Sequence, residues 1–215
     1  MMDSELRITE IFYSLQGESN TVGIPTAFIR LTGCPLRCSY CDTAYAFSGG
    51  QKMTIADILA EVQTYQCQYV TVTGGEPLAQ PGCLTLMTHL ADLGFYVSLE
   101  TSGALDISAV DARIVKVMDL KTPSSGELSK NRYENLAFLT AKDQVKFVIG
   151  SQEDYEWSKA WLVEQRLHET CQILFSPVAD QQNPTELAEH ILRDRLPVRF
   201  QVQLHKLLWH DARGK

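Results

Sequence analysis

Three cysteines, Cys34, Cys38 and Cys41, lie within a short segment of this 215-residue chain, separated by three and then two residues. Cysteine thiolates are soft ligands that favour iron–sulfur clusters, zinc or cuprous copper. A 4Fe-4S cluster normally takes four cysteines, so a set of three leaves one iron open. An open position on a metal is where a small molecule can bind and react. The cysteine loop therefore predicts a metal site that does chemistry.

The alternative is a structural zinc site whose fourth ligand lies elsewhere in the chain, such as Cys67 or Cys83. Zinc sites more often combine one C-x2-C pair with a second pair, and the sequence holds no second pair. The spacing therefore favours the cluster. Cys67, Cys83 and Cys171 are isolated, and we interpret them as ordinary buried thiols.

The composition is that of an ordinary soluble globular protein rather than a membrane or nucleic-acid-binding one. The chain is 45% hydrophobic and 21% charged, with a formal net charge of −7, which gives no support for a nucleic-acid footprint. No apolar run approaches the roughly 20 residues of a membrane span. The acidic N-terminus lacks the apolar core of a signal peptide, so we expect no membrane partner and a cytoplasmic location. The length suits one domain covering residues 1–215.

The elements that must position the cysteines alternate between strands and helices. Alternation of this kind predicts βαβ units around a mostly parallel sheet, and the chain is shorter than the roughly 250 residues of a closed eightfold barrel. Helices are predicted to begin after N-caps at Thr54 and Asn183, and further helices over 84–93 and 154–168. Residues 122–130 read as a loop or lid. The predicted strands are 8–13, 26–32, 69–73, 95–99, 114–120, 145–149, 173–175 and 198–204.

Four of these strands end at residues that could do chemistry. The cysteine loop follows Thr32, Gly74-Gly75 follows Thr73, Glu100 to Gly103 follow Leu99, and Lys121 follows Leu120. Ligand sites in parallel α/β folds lie at the carboxyl ends of the strands. We therefore expect these segments to surround one cavity.

The C-x3-C-x2-C spacing, with Tyr40 just before the last cysteine, resembles the cluster motif of the radical S-adenosylmethionine (SAM) superfamily, and Thr73-Gly74-Gly75-Glu76-Pro77 resembles its GGEP motif. The resemblance implies that Cys34, Cys38 and Cys41 hold a 4Fe-4S cluster whose open iron binds SAM. Reductive cleavage of SAM then gives a 5′-deoxyadenosyl radical that abstracts a substrate hydrogen, so no protein side chain is assigned as catalytic. The SAM contacts implied are Tyr40, Cys41, Asp42, Gly75, Glu76, Ser102, Asp119 and Lys121.

A second set of segments resembles the 7-carboxy-7-deazaguanine synthase family. It comprises Glu10 to Glu18, Arg30, Cys41-Asp42-Thr43, Glu100 to Gly103 and Gln203-Leu204-His205. The resemblance implies a lyase that converts 6-carboxy-5,6,7,8-tetrahydropterin to 7-carboxy-7-deazaguanine with loss of ammonia, in queuosine biosynthesis, a tRNA modification pathway. It also implies a partial, modified β/α (TIM-like) barrel of the radical SAM type, a homodimer, and an electron donor such as flavodoxin.

The same resemblance assigns a substrate site and a second metal. Arg30 is expected to meet the pterin carboxylate, because a guanidinium matches that planar anion. Thr43 is expected to bind Mg²⁺ through its hydroxyl, although a helix N-cap is the alternative for this residue type. Gln203 and His205 could face the pocket, or His205 could be a buried histidine bonded to backbone. The other expected substrate contacts are Leu15, Gln16, Gly17, Thr73 and Glu100.

Two alternatives to this function remain open at the level of sequence. A glycyl-radical-enzyme activating protein has the same cluster spacing, although the Gln16-Gly17-Glu18 segment argues against it. A zinc-binding module without catalytic activity is the other. The chain also departs from the family pattern: Ser19 replaces a second glycine, and Asp119-Leu120-Lys121 stands where many relatives have Ser-Pro-Lys. These departures concern the outer SAM contacts rather than the cluster ligands.

Overall fold

The computed structural model describes residues 4–210 and 212–214 of the chain. These residues form nine strands and five α-helices, with short 3-10 turns between them. The strands are β1 (Glu5–Leu15), β2 (Pro25–Leu31), β3 (Gln51–Thr54), β4 (Tyr69–Gly74), β5 (Tyr96–Thr101), β6 (Val115–Leu120), β7 (Gln144–Ile149), β8 (Gln172–Pro177) and β9 (Arg199–Phe200). The helices are α1 (Ile55–Thr64), α2 (Gly82–Asp92), α3 (Gln152–Glu164), α4 (Pro184–Asp194) and α5 (Leu204–Trp209).

All nine strands belong to one sheet, in the order β3-β1-β2-β4-β5-β6-β7-β8-β9. Strand β1 runs antiparallel to both β2 and β3, and every later pair from β2 to β9 is parallel. The sheet is open, since the described residues contain no pairing between β3 and β9. The predicted mostly parallel sheet of a partial barrel is therefore confirmed.

A continuous apolar core lies between the parallel strands and the helices. Val70, Val72, Leu99 and Phe147 are fully or almost fully buried within it. In β4, Thr71 and Thr73 are also buried, because this central strand is covered on both faces. Its threonines therefore carry polar groups into the interior, on the side where the functional cavity lies.

Helix boundaries follow the capping signals in the sequence. The Thr54 hydroxyl accepts a hydrogen bond from the Asp57 amide at 3.1 Å and begins α1. The Asn183 side chain accepts from the amides of Thr185 and Glu186 and begins α4. Gly94, with φ of +87°, follows the end of α2 in a left-handed conformation. Helix α3 ends at Glu164, earlier than predicted, because Arg166 adopts a positive φ and a 3-10 turn follows.

The C-terminal part of the chain corrects one sequence prediction. A strand was expected over 198–204, but β9 covers only Arg199 and Phe200, and Leu204 begins helix α5. The Leu204 amide donates to the Gly17 carbonyl at 3.0 Å, so the chain leaves the sheet to pack against the segment after β1. Strand β3 was also not predicted, because its polar sequence lacks a strand signal and pairing with β1 stabilises it. None of the helices in the described parts of the chain has the length and apolar character needed to cross a membrane.

Candidate active site

The carboxyl ends of β2, β4, β5 and β6 surround a cavity of about 360 Å³. Every site residue predicted from the sequence lines it except Cys34 and Glu76. The prediction that the residues at these strand ends surround one cavity is therefore confirmed. We call the part lined by Cys38, Tyr40, Cys41, Asp119 and Lys121 the cysteine side, and the part lined by Gln16, Thr73 and Glu100 the Gln16 side.

The Gly74-Gly75 turn lies directly against the start of the cysteine loop. The Gly75 amide donates to the Leu31 carbonyl at 3.1 Å, and the Glu76 amide donates to the Gly33 carbonyl at 2.8 Å. A β-carbon added to Gly75 would stand 2.3 Å from the Gly33 oxygen and 2.8 Å from the Cys34 Cβ. Glycine is required here because the two backbones approach too closely for any side chain. The two motifs are therefore parts of one site.

Residues 122–130, predicted as a loop or lid, contact the cysteine loop at Ser39. Ser39 donates from its amide to the Ser125 carbonyl at 3.0 Å and from its hydroxyl to the Ser124 carbonyl at 2.6 Å. Asp154, fully buried at the start of α3, accepts hydrogen bonds from the Ser124 amide at 2.8 Å and from its hydroxyl. Helix α3 therefore positions the cysteine loop through this chain of hydrogen bonds.

The three thiols belong to one irregular segment between β2 and β3. Burial raises the pKa values of Cys34 and Cys38, and the neighbouring cysteines add to the rise while Lys121 opposes it. In the described part of the chain, no three His, Cys, Asp or Glu side chains are already gathered as a metal-binding set. Cys83 lies on α2 and is buried in the apolar core, so it belongs to the core packing rather than to the loop. The donors available on the loop are three soft thiols, which suits a cluster with one open iron better than a four-ligand zinc site.

The cysteine side also presents polar atoms that lack protein partners. The Tyr40 hydroxyl and the Asp119 Oδ1 are buried and have no hydrogen-bond partner among the described residues. Buried polar groups are normally paired, so two unpaired atoms on a cavity wall favour a polar ligand there. Burial, together with Asp119, raises the pKa of Tyr40 to about 12. These observations fit a polar cofactor such as SAM beside the cluster.

Lys121 keeps its charge on the cysteine side. Its Nζ lies 3.1 Å from the Asp119 Oδ2. Burial alone would lower the pKa of Lys121, but Asp119, Tyr40 and Cys38 more than offset burial, and the pKa is raised. A buried ammonium therefore faces the cysteine loop.

Glu76 lies behind the cavity wall rather than on it. It is completely buried, and its carboxylate accepts from the Ser102 amide at 2.7 Å and the Ser102 hydroxyl at 2.6 Å. The Thr101 hydroxyl lies 3.0 Å from both carboxylate oxygens. Glu76 therefore fixes the end of β5, and its predicted contact with SAM stays a prediction.

The Gln16 side is a hydrogen-bonded polar wall. The Gln16 Nε2 donates to the Thr71 hydroxyl at 2.9 Å and lies 3.4 Å from the Glu100 Oε1. The Thr73 hydroxyl donates to the Glu100 Oε2 at 3.0 Å. Burial, reinforced by the charge of Glu18, raises the pKa of Glu100. The wall can therefore donate hydrogen bonds to a flat polar ring and accept hydrogen bonds from it.

Arg30 lies at the edge of this wall in a fixed orientation. Its Nε donates to the Glu10 Oε1 at 2.7 Å, and the Tyr45 hydroxyl donates to the same oxygen at 2.7 Å. The guanidinium carbon lies 5.8 Å from the Phe12 ring centroid and 5.9 Å from that of Tyr45. The Nε makes the one hydrogen bond of this guanidinium within the described residues, so the two terminal nitrogens have no partner there. They remain available for an anion.

Helix α5 closes the cavity from the C-terminal side. Both Gln203 and His205 line the cavity, so the pocket-facing alternative is confirmed for each. The Gln203 Nε2 donates to the Glu18 Oε1 at 2.7 Å and to the Asp42 Oδ2 at 3.1 Å. Burial lowers the pKa of His205. Gly17 permits this packing, because a β-carbon there would stand 2.4 Å from the His205 Nδ1.

Thr43 precedes a 3-10 turn, Ala44–Phe47, but makes no capping hydrogen bond. Its hydroxyl instead donates to the Asp42 Oδ1 at 2.8 Å. Burial would raise the pKa of Asp42, but the hydrogen bond from Thr43 and the charge of Lys206 outweigh burial, and the pKa is lowered. The Thr43 hydroxyl and the Asp42 carboxylate therefore place two oxygen atoms side by side on the cavity wall. The assignment of Thr43 as a Mg²⁺ ligand stays a prediction.

Sequence reasoning did not single out Glu18 and Lys146, both of which line the cavity. The Lys146 Nζ lies 2.5 Å from the Glu18 Oε2. One signal for Lys146 was present: it is the lone charge among the apolar residues Val145, Phe147 and Val148 of β7. Glu18 ends the Glu10 to Glu18 segment, whose pattern alone does not indicate a partner for this carboxylate.

Comparisons with known proteins agree with this geometry. Residues 28–120 match the model of the radical SAM superfamily. The 7-carboxy-7-deazaguanine synthase of Chlorobaculum tepidum is 45% identical and the alignment covers 99% of this chain and 98% of that protein. The corresponding synthase of Koribacter versatilis is 41% identical, with 95% and 97% covered.

The crystal structure of QueE from Escherichia coli matches with a TM-score of 0.77 at 24% identity, covering 94% of this chain and 95% of that one. At that identity the match bears on the fold, and it agrees with the open, mostly parallel sheet. The identity to the Chlorobaculum tepidum synthase over nearly the full length of both proteins shows the family. The chain therefore belongs to the 7-carboxy-7-deazaguanine synthase family of radical SAM enzymes.

Proposed function

We propose that this chain is the radical SAM lyase that converts 6-carboxy-5,6,7,8-tetrahydropterin to 7-carboxy-7-deazaguanine with loss of ammonia, in queuosine biosynthesis. The observation that carries the proposal is the single cavity, in which the cysteine loop faces the Gln16, Thr73 and Glu100 wall. A cofactor site and a site for a polar ring therefore share one volume.

On the cysteine side, Cys34, Cys38 and Cys41 would hold the 4Fe-4S cluster of this superfamily. When bound, the cluster and SAM supply a one-electron cleavage that yields a hydrogen-abstracting 5′-deoxyadenosyl radical. The Tyr40 hydroxyl and the Asp119 Oδ1, unpaired among the described residues, are the groups that would orient SAM. Lys121 supplies a buried positive charge beside them. Asp42, Gly75 and Ser102 complete the proposed SAM site on the cavity wall, and Glu76, buried behind the wall, holds Ser102 in place.

On the Gln16 side, the residues bind and orient the substrate. The free terminal nitrogens of Arg30 would pair with the pterin carboxylate, while Phe12 and Tyr45 hold the guanidinium plane in position. Gln16, Thr73 and Glu100 would hydrogen-bond the ring, and Leu15 and Gly17 would bound it. Helix α5 contributes His205 and Lys206 to the cavity wall and would help to exclude water from the reaction.

Further assignments are part of the same proposal. Thr43 would bind Mg²⁺ together with substrate oxygens, because Mg²⁺ prefers oxygen ligands and often includes those of a bound substrate. The enzyme would act in the cytoplasm as a homodimer of single-domain subunits, covering residues 1–215. A flavodoxin-type protein would supply the electron.

The test is anaerobic reconstitution with iron and sulfide, followed by incubation with SAM, a reductant and the carboxytetrahydropterin. Mass spectrometry should detect the deazaguanine product, and EPR of the reduced protein should change on addition of SAM. Two cysteine variants form a matched pair. C41A should abolish both signals, whereas C67A should retain them, because Cys67 is an isolated thiol outside the cavity. Cluster and SAM cleavage without the product would reject the substrate assignment, and bound zinc without sulfide would reject the cluster.

A further inference from the structure

Lys146 joins the two sides of the cavity. Its side chain leaves β7 between the buried residues Val145 and Phe147 and is only 13% exposed. The Nζ lies 2.5 Å from the Glu18 Oε2 and 3.8 Å from the Asp119 Oδ2. Glu18 belongs to the segment after β1, and Asp119 belongs to the cysteine side. Lys146 is thus in contact with both walls at once.

The charges around Lys146 explain why it is held there. Burial would lower the pKa of Lys146, but Glu18, Asp119 and Glu100 outweigh it, and the pKa is raised. Burial would likewise raise the pKa of Glu18, but the Lys146 charge more than offsets it, and the pKa is lowered. A buried carboxylate keeps its charge only when it is paired. Lys146 therefore keeps Glu18 ionised and fixed.

Asp119 does not depend on Lys146 to the same degree, because Lys121 lies closer to it, at 3.1 Å from the same oxygen. Loss of Lys146 would therefore leave the cysteine side with its own ion pair, whereas Glu18 would retain only the neutral Gln203 amide. The effect of Lys146 should fall mainly on the wall that Glu18 helps to form.

We propose that Lys146 is a positioning residue for the pterin substrate, acting by fixing the Glu18 carboxylate in the cavity. This inference rests on the proposed function. It predicts that removing the Lys146 charge weakens substrate binding while cluster assembly and SAM binding are retained.

The chain offers a matched control in a second buried ion pair. The Lys116 Nζ lies 3.1 Å from the Asp143 Oδ2, and both side chains are buried. Lys116 lies on β6, next to β7 in the sheet, but this pair does not line the cavity. A K116Q variant therefore breaks a buried pair without touching the proposed site.

The experiment compares K146Q, K146R and K116Q as reconstituted proteins with SAM and the carboxytetrahydropterin. In K146Q the KM and the Kd for the pterin should each rise by at least about tenfold, because truncating one partner of a buried charge pair weakens binding. The Kd for SAM and the iron content should stay within about twofold of wild type, and K146R should recover most of the loss. K116Q should lower thermal stability while leaving the pterin KM unchanged.

Unchanged pterin binding in K146Q, or an equal loss of SAM binding, would overturn the inference. Should K146Q fold poorly, the double variant E18Q/K146Q also removes the unpaired charge of Glu18. Its Kd for the pterin should be no higher than that of E18Q alone. A further loss in the double variant would also overturn the inference. If the wild type neither binds the pterin nor forms the product, the proposed function itself fails, and the two failures are thereby distinguished.

Discussion

Gly75 and Cys34 lie back to back: a β-carbon on Gly75 would stand 2.8 Å from the Cys34 Cβ. One belongs to the turn after β4, and the other begins the cysteine loop after β2. Since β2 and β4 are neighbouring parallel strands, their carboxyl ends meet, and the first cysteine is supported directly by the glycine turn.

The variant G75A should disrupt the cysteine loop. The new methyl group would clash with the Gly33 carbonyl at 2.3 Å, and backbone cannot move aside as a side chain can. We expect a loss of about 1–3 kcal/mol in the free energy of unfolding. Iron bound after reconstitution should also fall. G82A is the control, because the nearest atom there is the end of the flexible Leu6 side chain at 3.2 Å. Equal iron content in the two variants would contradict the prediction.

The variant D154N should loosen the cysteine loop from a distance. Asp154 accepts hydrogen bonds from the amides of Ser124 and Gly150, and Ser124 in turn holds Ser39. Losing the charge on this buried acceptor should cost about 1–3 kcal/mol of stability. The reconstituted cluster should be lost faster to an iron chelator. D194N alters a carboxylate at the end of α4 that is bonded to Tyr155 and Lys159 and does not contact Ser124, so this variant should not speed cluster loss.

The variant G17A should displace helix α5 from the cavity. The added methyl group would stand 2.4 Å from the His205 Nδ1, so α5 must shift outward. We expect a several-fold rise in the pterin KM with an unchanged SAM affinity, because the Gln16 side loses its cover. Steady-state kinetics with each ligand varied in turn checks this. A rise confined to the KM for SAM would show that α5 covers the other side of the cavity.

Stability should fall as the pH decreases below about 6.5, the ordinary pKa of histidine, in part because of His205. Burial lowers the folded-state pKa of His205, so between the folded and unfolded values the unfolded chain binds more protons. The neutral histidine therefore contributes stability at higher pH that is lost as the pH falls. In H205Q the slope of unfolding free energy against pH between 5 and 6.5 should decrease by up to about 1.4 kcal/mol per pH unit. Urea titrations at several pH values measure this slope, and an unchanged slope would contradict the prediction.

The sequence by itself determined the chemistry and most of the framework. The spacing of Cys34, Cys38 and Cys41 predicts the cluster, because the spacing of ligands on one loop is a local property of the sequence. The parallel strands were predictable because strand and helix patterns alternate along the chain. The caps at Thr54 and Asn183 were predictable because each cap side chain bonds to amides only a few residues away. The carboxyl ends of the parallel strands then identified part of the cavity wall, because parallel strands point the same way.

Only the tertiary structure decided how those walls are held and joined. The placement of Glu76 behind the wall, the support of Ser39 by Ser124, and the turn of residues 201–204 into α5 all depend on contacts between segments far apart in the chain. The same is true of Lys146, which reads in sequence as a stray charge in a buried strand and is paired in the fold with Glu18. Pairing of buried charges depends on distances across the sheet, and no local pattern encodes those distances.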